Sequence, residues 1–226
     1  MANRWWCVMF SYTNIPLILK GVATTLLLWI LALVISFSLG TIIGVLQSGK
    51  IKVSSWLYLF LNIAMRLLRG VPFYLQLLIV YFVFPLLTGI SLSSFWASVF
   101  SLGICSSAYV SQIICGGMQS YDESLWEMAA VLGYSKIQSV RYFVLPKVFR
   151  TTLLSLSGEV DQLIKTTSVC STIGVLDLMG VTRNIIAREM NPVTMYISAA
   201  ILFFALSTTW SAVVTLIQKR IRYVKA

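Results

Sequence analysis

Residues Ser124 to Pro146 read SLWEMAAVLGYSKIQSVRYFVLP. The stretch is polar enough to live in water, yet the chain on either side is oily. It opens with an S-x-x-E pattern, Ser124 and Glu127, which predicts a capping box in which the serine oxygen accepts from the Glu127 amide. Leu125 to Leu132 are good helix formers, and Gly133 stands where a left-handed residue ends a helix. A second, basic helical stretch follows and is expected to end near Leu145-Pro146. A short delimited helix between two apolar segments is either an ordinary helix on a membrane surface or a rigid knob that meets a partner in solution. The small Ala129 and Ala130 would let such a partner come close.

The flanks fix the class. Of 226 residues, 58% are hydrophobic and 11% charged, which points to an integral helical membrane protein. The apolar runs are continuous rather than alternating, which excludes a transmembrane barrel. There is no histidine, so histidine-based catalysis and histidine metal sites are excluded. The four cysteines, Cys7, Cys105, Cys115 and Cys170, form no CxxC pair and read as small buried hydrophobes. No cofactor or metal is expected. The residues before Lys20 hold scattered polar side chains and do not read as a cleaved signal peptide.

Five spans are expected: Gly21 to Leu46, Gly70 to about Leu87, Phe95 to Met118, Thr151 to Leu176, and Val193 to Ile217. Pro85, Gly89 and the following serines mark the turn between the second and third. Lys50 to Gly70 reads as a turn and an amphipathic helix leading into the second span. Ser36, Gly40 and Gly44 recur every four residues, a small-xxx-small stripe against which another helix can pack closely. The whole chain, 1–226, reads as one membrane domain, with residues 119–150 as a loop within it. The net charge is +10, but the basic residues sit between apolar runs instead of forming a patch for nucleic acid. Placing the N-terminus outside puts Lys50, Lys52, Arg66, Arg69, Lys136, Arg141, Lys147, Arg150, Lys219, Arg220, Arg222 and Lys225 inside, against Arg4, Lys20, Arg183 and Arg188 outside. That asymmetry predicts a cytoplasmic C-terminus and a cytoplasmic 119–150 loop.

Three charges interrupt the fourth span: Glu159, Asp161 and Lys165. They lie roughly 12–21 Å from its inner end at ~1.5 Å per residue. Charge at that depth costs about 2.5–3.5 kcal/mol per residue on insertion scales, and marks function by default. Asp161 and Lys165 are four apart, acid first, the order that favours an ion pair. The pair either contacts a charged solute or is structural, at a seam between subunits. Glu159 has no partner on its own helix and is the first choice for a solute contact. Tyr109 and Gln112 in the third span are further candidates.

Glu127, Ala129, Gly133 and Phe143-Val144-Leu145-Pro146 resemble the EAA loop of ABC-importer permeases, E-A-A-x-x-x-G-x9-I-x-L-P, with matching spacing throughout. Met128 stands for the first alanine and Phe143 for the isoleucine. RGVPFYLQLLIVYFVFP (69–85), SAYVSQIICGGMQS (107–120) and LIKTTSVCSTIGVLDL (163–178) are similar to segments of the polar amino acid branch. Departures are Gln112 and Cys115 at that branch's glutamate and arginine, Thr166 at its aspartate, and Asp161 at an apolar position. The resemblance implies an all-α, type I importer permease in a bacterial inner membrane, moving polar amino acids. It implies a cytoplasmic ATPase dimer docked at Glu127, Ala129, Ala130, Gly133, Leu145 and Pro146, a second permease copy or homologue, and an external solute-binding protein. The chain lacks G-x-x-x-x-G-K-[ST], so ATP hydrolysis falls to a separate subunit. Import of another small polar solute, or ion-driven secondary transport, are the alternatives.

Overall fold

The computed structural model describes residues 14–121 and 123–223, and within them every regular element is helical. In chain order these are α1 (Asn14–Gln47), α2 (Ser55–Gly70), α3 (Phe73–Thr88), α4 (Ser94–Gln119), α5 (Glu123–Val131), α6 (136–151), α7 (Leu153–Ile173), α8 (Leu178–Glu189) and α9 (Pro192–Tyr223). Three of them, α1, α4 and α9 (to Arg220), are each long and apolar enough to cross a membrane. The five expected spans are reached when the bent pairs α2–α3 and α7–α8 each count as one.

Two compact units emerge. Among the described residues, one holds 14–32, Tyr74–Leu102 and 161–223. The other holds Leu33–Phe73 and Gly103–Val160.

In the second unit α1 packs on α4 through the predicted small-residue stripe. The Ser36 hydroxyl donates to Ser106 Oγ at 2.9 Å. A Cβ on Gly40 would lie 2.7 Å from Val110 Cβ, and one on Gly44 would lie 2.7 Å from the Ser111 carbonyl oxygen. The apolar core of this unit is built from two ridges with i, i+4 spacing. Val110, Ile114 and Met118 of α4 meet Val140, Val144 and Val148 of α6, with Leu156 of α7 closing the cluster. Gly117 lets the helices approach, because a Cβ there would lie 2.8 Å from Val148 Cγ1.

In the first unit, the residues between the fourth and fifth expected spans form the helix α8. Asp177 caps it: its backbone is extended and its Oδ1 accepts the Gly180 N–H at 2.8 Å. The Leu178 N–H donates to Thr25 Oγ1 of α1 at 3.0 Å, satisfying another orphan donor. The turn into α8 is so tight that a Cβ on Gly180 would sit 2.2 Å from the Val175 carbonyl oxygen. Gly180→Ala is therefore expected to destabilise the protein by about 1–3 kcal/mol or more, read as a lowered melting temperature in detergent.

Two prolines lie inside helices where the sequence suggests ends. α6 does not stop at Leu145-Pro146 but runs through to residue 151. The turn before the proline, Val140–Val144, widens to π geometry, and the Leu145 N–H bonds back to the Val140 carbonyl. A proline ring clashes with the carbonyl four residues earlier, and a widened turn moves that carbonyl aside. The same device precedes Pro85: Ile79–Val83 is π-helical, the Phe84 N–H bonds to Ile79, and α3 ends only at Gly89, with φ +73°.

Candidate functional sites: a capped hairpin and a polar face

The hairpin of α5 and α6 is built by local chemistry. α5 starts at Glu123, so Ser124 is its second residue and not its cap. The expected Ser124–Glu127 box is thereby corrected. The box is present one helix later. The Gln138 N–H donates to Ser135 Oγ at 3.4 Å, and the Ser135 N–H donates to Gln138 Oε1 at 2.8 Å. The end of α5 is as expected. Gly133 has φ +79°, its N–H bonds to Ala130, and the Tyr134 N–H reaches back to Ala129 at 3.0 Å. This is a Schellman motif, which consumes two carbonyls that the helix would leave bare. The Tyr134 ring then meets Phe143 edge-on at 4.9 Å, closing the hairpin with the residue that takes the isoleucine position of the EAA pattern.

The residues that the EAA resemblance implies for docking separate by exposure. Glu127, Ala130, Gly133 and Pro146 are exposed, Leu145 is half-buried, and Ala129 is buried at 1%. Ala129 faces its own unit and seats the helix, while its neighbour Ala130 is open to the surroundings. Around them Met128, Val131, Leu132 and Ile137 are exposed, Val131 at 87%. Apolar side chains gathered at a hairpin tip mark an interaction surface.

The charges of α7 are each engaged. Glu159, unpartnered on its own helix, accepts from the Ser106 hydroxyl of α4 at 2.8 Å, and Ser106 in turn accepts from Ser36 of α1. Asp161 and Lys165 form the expected i, i+4 pair, Nζ to Oδ2 at 2.6 Å. The other Asp161 oxygen accepts from Ser207 of α9. With Lys165 and a hydroxyl both satisfying it, Asp161 has the bonding of a structural group.

Tyr109 and Gln112 lie on one exposed face of α4 that continues to Gly116 and Gln119. Along α7, Ser155, Gly158, Gln162 and Lys165 likewise share an exposed face. Polar stripes on membrane helices face water or protein rather than lipid. Sequence reasoning missed one member of this region. Arg69, assigned to the inner surface by charge counting, donates from Nη1 to the Ala108 carbonyl at 2.8 Å, midway along α4. The signal was the R-G-V-P run itself: α2 breaks at Val71, where the backbone turns extended before Pro72, leaving Arg69 in its last turn. Among the described residues, no cluster of three or more His, Cys, Asp or Glu could hold a metal ion.

Comparison with known proteins places these features. Residues 36–223 match the family model described as "Binding-protein-dependent transport system inner membrane component". The chain is 31% identical over 199 residues to the arginine transport system permease protein ArtQ of Bacillus subtilis, covering 87% of this chain and 90% of that one. It is 30% identical over 209 residues to a putative glutamine transport system permease protein GlnP of Rickettsia typhi, covering 92% and 94%. Among solved structures, an amino acid ABC transporter crystallised with histidines superposes with a TM-score of 0.82 at 31% identity, covering 94% of this chain and 96% of that one.

Proposed function

Because this chain belongs to the binding-protein-dependent transport system inner membrane components, we propose that it is the permease subunit of an ATP-driven importer of polar amino acids. It is a multi-pass membrane protein and a transporter component, with no covalent chemistry of its own. The observation that carries the substrate class is its similarity, at 30–31% identity over most of its length, to permeases named for arginine and glutamine. The solved amino acid transporter of the same fold supports the same class. An intramembrane carboxylate with no cationic partner among the described residues, Glu159, fits a solute that carries an ammonium group.

In this reading the chain acts as one permease domain, alongside a second copy or a homologue. The α5–α6 hairpin faces the cytoplasm and seats in a groove of the ATPase, with Glu127, Ala130, Gly133 and Pro146 at the contact. The N-terminus lies outside, where a solute-binding protein delivers the amino acid. Glu159, Tyr109 and Gln112 line its path, and the Asp161–Lys165 pair holds α7 in place. The test is uptake into proteoliposomes. The purified permease and its ATPase, with the binding protein outside and ATP inside, should accumulate a radiolabelled polar amino acid. Accumulation that follows an ion gradient and ignores ATP would overturn the reading.

The hairpin yields a specific expectation. A β-branched residue at Gly133 is forced into left-handed backbone at a cost of roughly 1–2 kcal/mol, although nothing stands within 4 Å of its Cβ. Gly133→Val should shift the end of α5 and lower substrate-stimulated ATP hydrolysis several-fold. Gly133→Asn, which tolerates that backbone, should retain most of it.

A further inference from the structure

Among the described side chains, Asp177 is the one carboxylate that is fully buried, at 0% exposure. It follows Leu176, where the fourth expected span ends, and it is bonded at one oxygen only. Oδ1 accepts the Gly180 N–H at the start of α8, while Oδ2 has no hydrogen-bond partner. Buried polar atoms are normally satisfied, and a buried charge with a bare oxygen is costly. The neutral acid fits the same place at lower cost, because the proton sits on Oδ2 and Oδ1 goes on capping the helix.

The elements around Asp177 do not neutralise it. On α8 itself, Arg183 is exposed and acts only through its field. α7 brings the buried thiol of Cys170, bonded to Ser98 of α4. α1 brings Gly21 and Thr25, with Lys20 exposed beside them. Arg188 and Glu189, at the far end of α8, pair with each other. Burial prevails: it pushes the Asp177 carboxyl up to about 6, against the backbone N–H groups at the start of α8 and Arg183, which pull it down.

The link that carries Asp177 is built to move. Gly174 ends α7 with φ +86°, is exposed, and has nothing within 4 Å of an added Cβ. α7 and α8 meet across this link at a bend of 48°. The start of α8 is held to α1 by one polar contact, the Leu178 N–H on Thr25 Oγ1. Because Oδ2 is buried, hydrating it requires this segment to shift.

We infer that Asp177 is a proton-operated latch on α8. Protonated, it stays buried and keeps the start of α8 seated against α1. Ionised, it draws water to Oδ2, and residues 174–180 open more often. The ligand is the proton, and the regulated element is the helix between the fourth and fifth expected spans. The inference does not depend on the transport reading.

Linkage fixes the sign. The closed form holds the proton more tightly than an open, hydrated carboxyl of pKa about 3.9, so closure is strongest in acid and is lost as pH rises through about 6. The test is hydrogen exchange read by mass spectrometry on the full chain, with its co-purified partners, in nanodiscs. After correction for intrinsic exchange rates, protection of residues 178–189 should fall about tenfold between about pH 5 and pH 7.5, with α4 unchanged. Asp177→Asn and Asp177→Ser each keep a capping oxygen and lose the titrating group. Both should hold that protection level across the same range, and if one misfolds the other decides. A flat profile in the unmodified protein overturns the proposal without any variant. A fall that persists in the variants also overturns it, because the titrating group would then lie elsewhere.

Discussion

Glu159→Gln should cut ATP-driven amino acid uptake by about ten- to a hundredfold, with the melting temperature unchanged. The amide oxygen of glutamine still accepts from the Ser106 hydroxyl, so the chain of hydrogen bonds from Ser36 through Ser106 survives. What disappears is the negative charge. A hydrogen bond to a charged group contributes about 1.5–3 kcal/mol, which sets the size of the expected loss. Uptake in proteoliposomes together with thermal unfolding in detergent checks both halves. Full uptake in the variant would make Glu159 a structural acceptor, equivalent in role to Asp161 on Ser207.

Gly44→Leu should nearly abolish the folded protein. A Cβ alone would stand 2.7 Å from the Ser111 carbonyl oxygen and 2.9 Å from Ile114 Cβ, and leucine adds three more carbons. The backbone of α4 has to move, and α4 also carries the Val110, Ile114 and Met118 ridge of the core. Overpacking a well-filled site costs about 1–3 kcal/mol, and here main chain is in the way. Against a total stability of roughly 5–15 kcal/mol, and with the same ridge disturbed, little monodisperse protein should survive extraction. Gly116→Ala, where nothing stands within 4 Å of the added Cβ, should leave the melting temperature unaltered. Fluorescence size exclusion of the two variants side by side measures this. Equal yields would mean that α1 and α4 do not approach along the Ser36–Gly40–Gly44 stripe.

What could be read from the sequence was what depends on short range. The apolar runs of α1, α4 and α9 declare themselves by length. Gly133 declares the end of α5, because few other residues accept its backbone angle. The Asp161–Lys165 pair follows from helical spacing alone. Local patterns failed where two of them competed. Ser124 carries the cap signature, but the helix begins at Glu123, and the same signature operates at Ser135. Pro146 and Pro85 look like terminators, yet a single widened turn lets each helix continue. Asp177 is a cap signal, but the residues after it look too polar for a span; the α8 helix they form follows the tight turn that Gly180 permits.

The candidate site was half legible for the same reason. Glu159 stands out as a charge in an apolar run, but its partner, Ser106, is 53 residues away and could not be read from spacing. Arg69 was hidden by its neighbours. It shares a basic stretch with Lys50, Lys52 and Arg66, and counting charges sends all four to the membrane surface. Only the break of α2 at Val71 and the bond to Ala108 reveal that Arg69 belongs to the interior.

As the membrane subunit of an ATP-driven importer, coupled through the α5–α6 hairpin as proposed, this chain should not travel alone. The most direct measurement is purification of the chain from its native membrane in mild detergent, with identification of everything that accompanies it. A P-loop ATPase should accompany the chain in equal amount, and be lost when the exposed hairpin residues Ala130 and Val131 are both replaced by aspartate. A chain that purifies intact and folded with no ATPase would contradict the proposal.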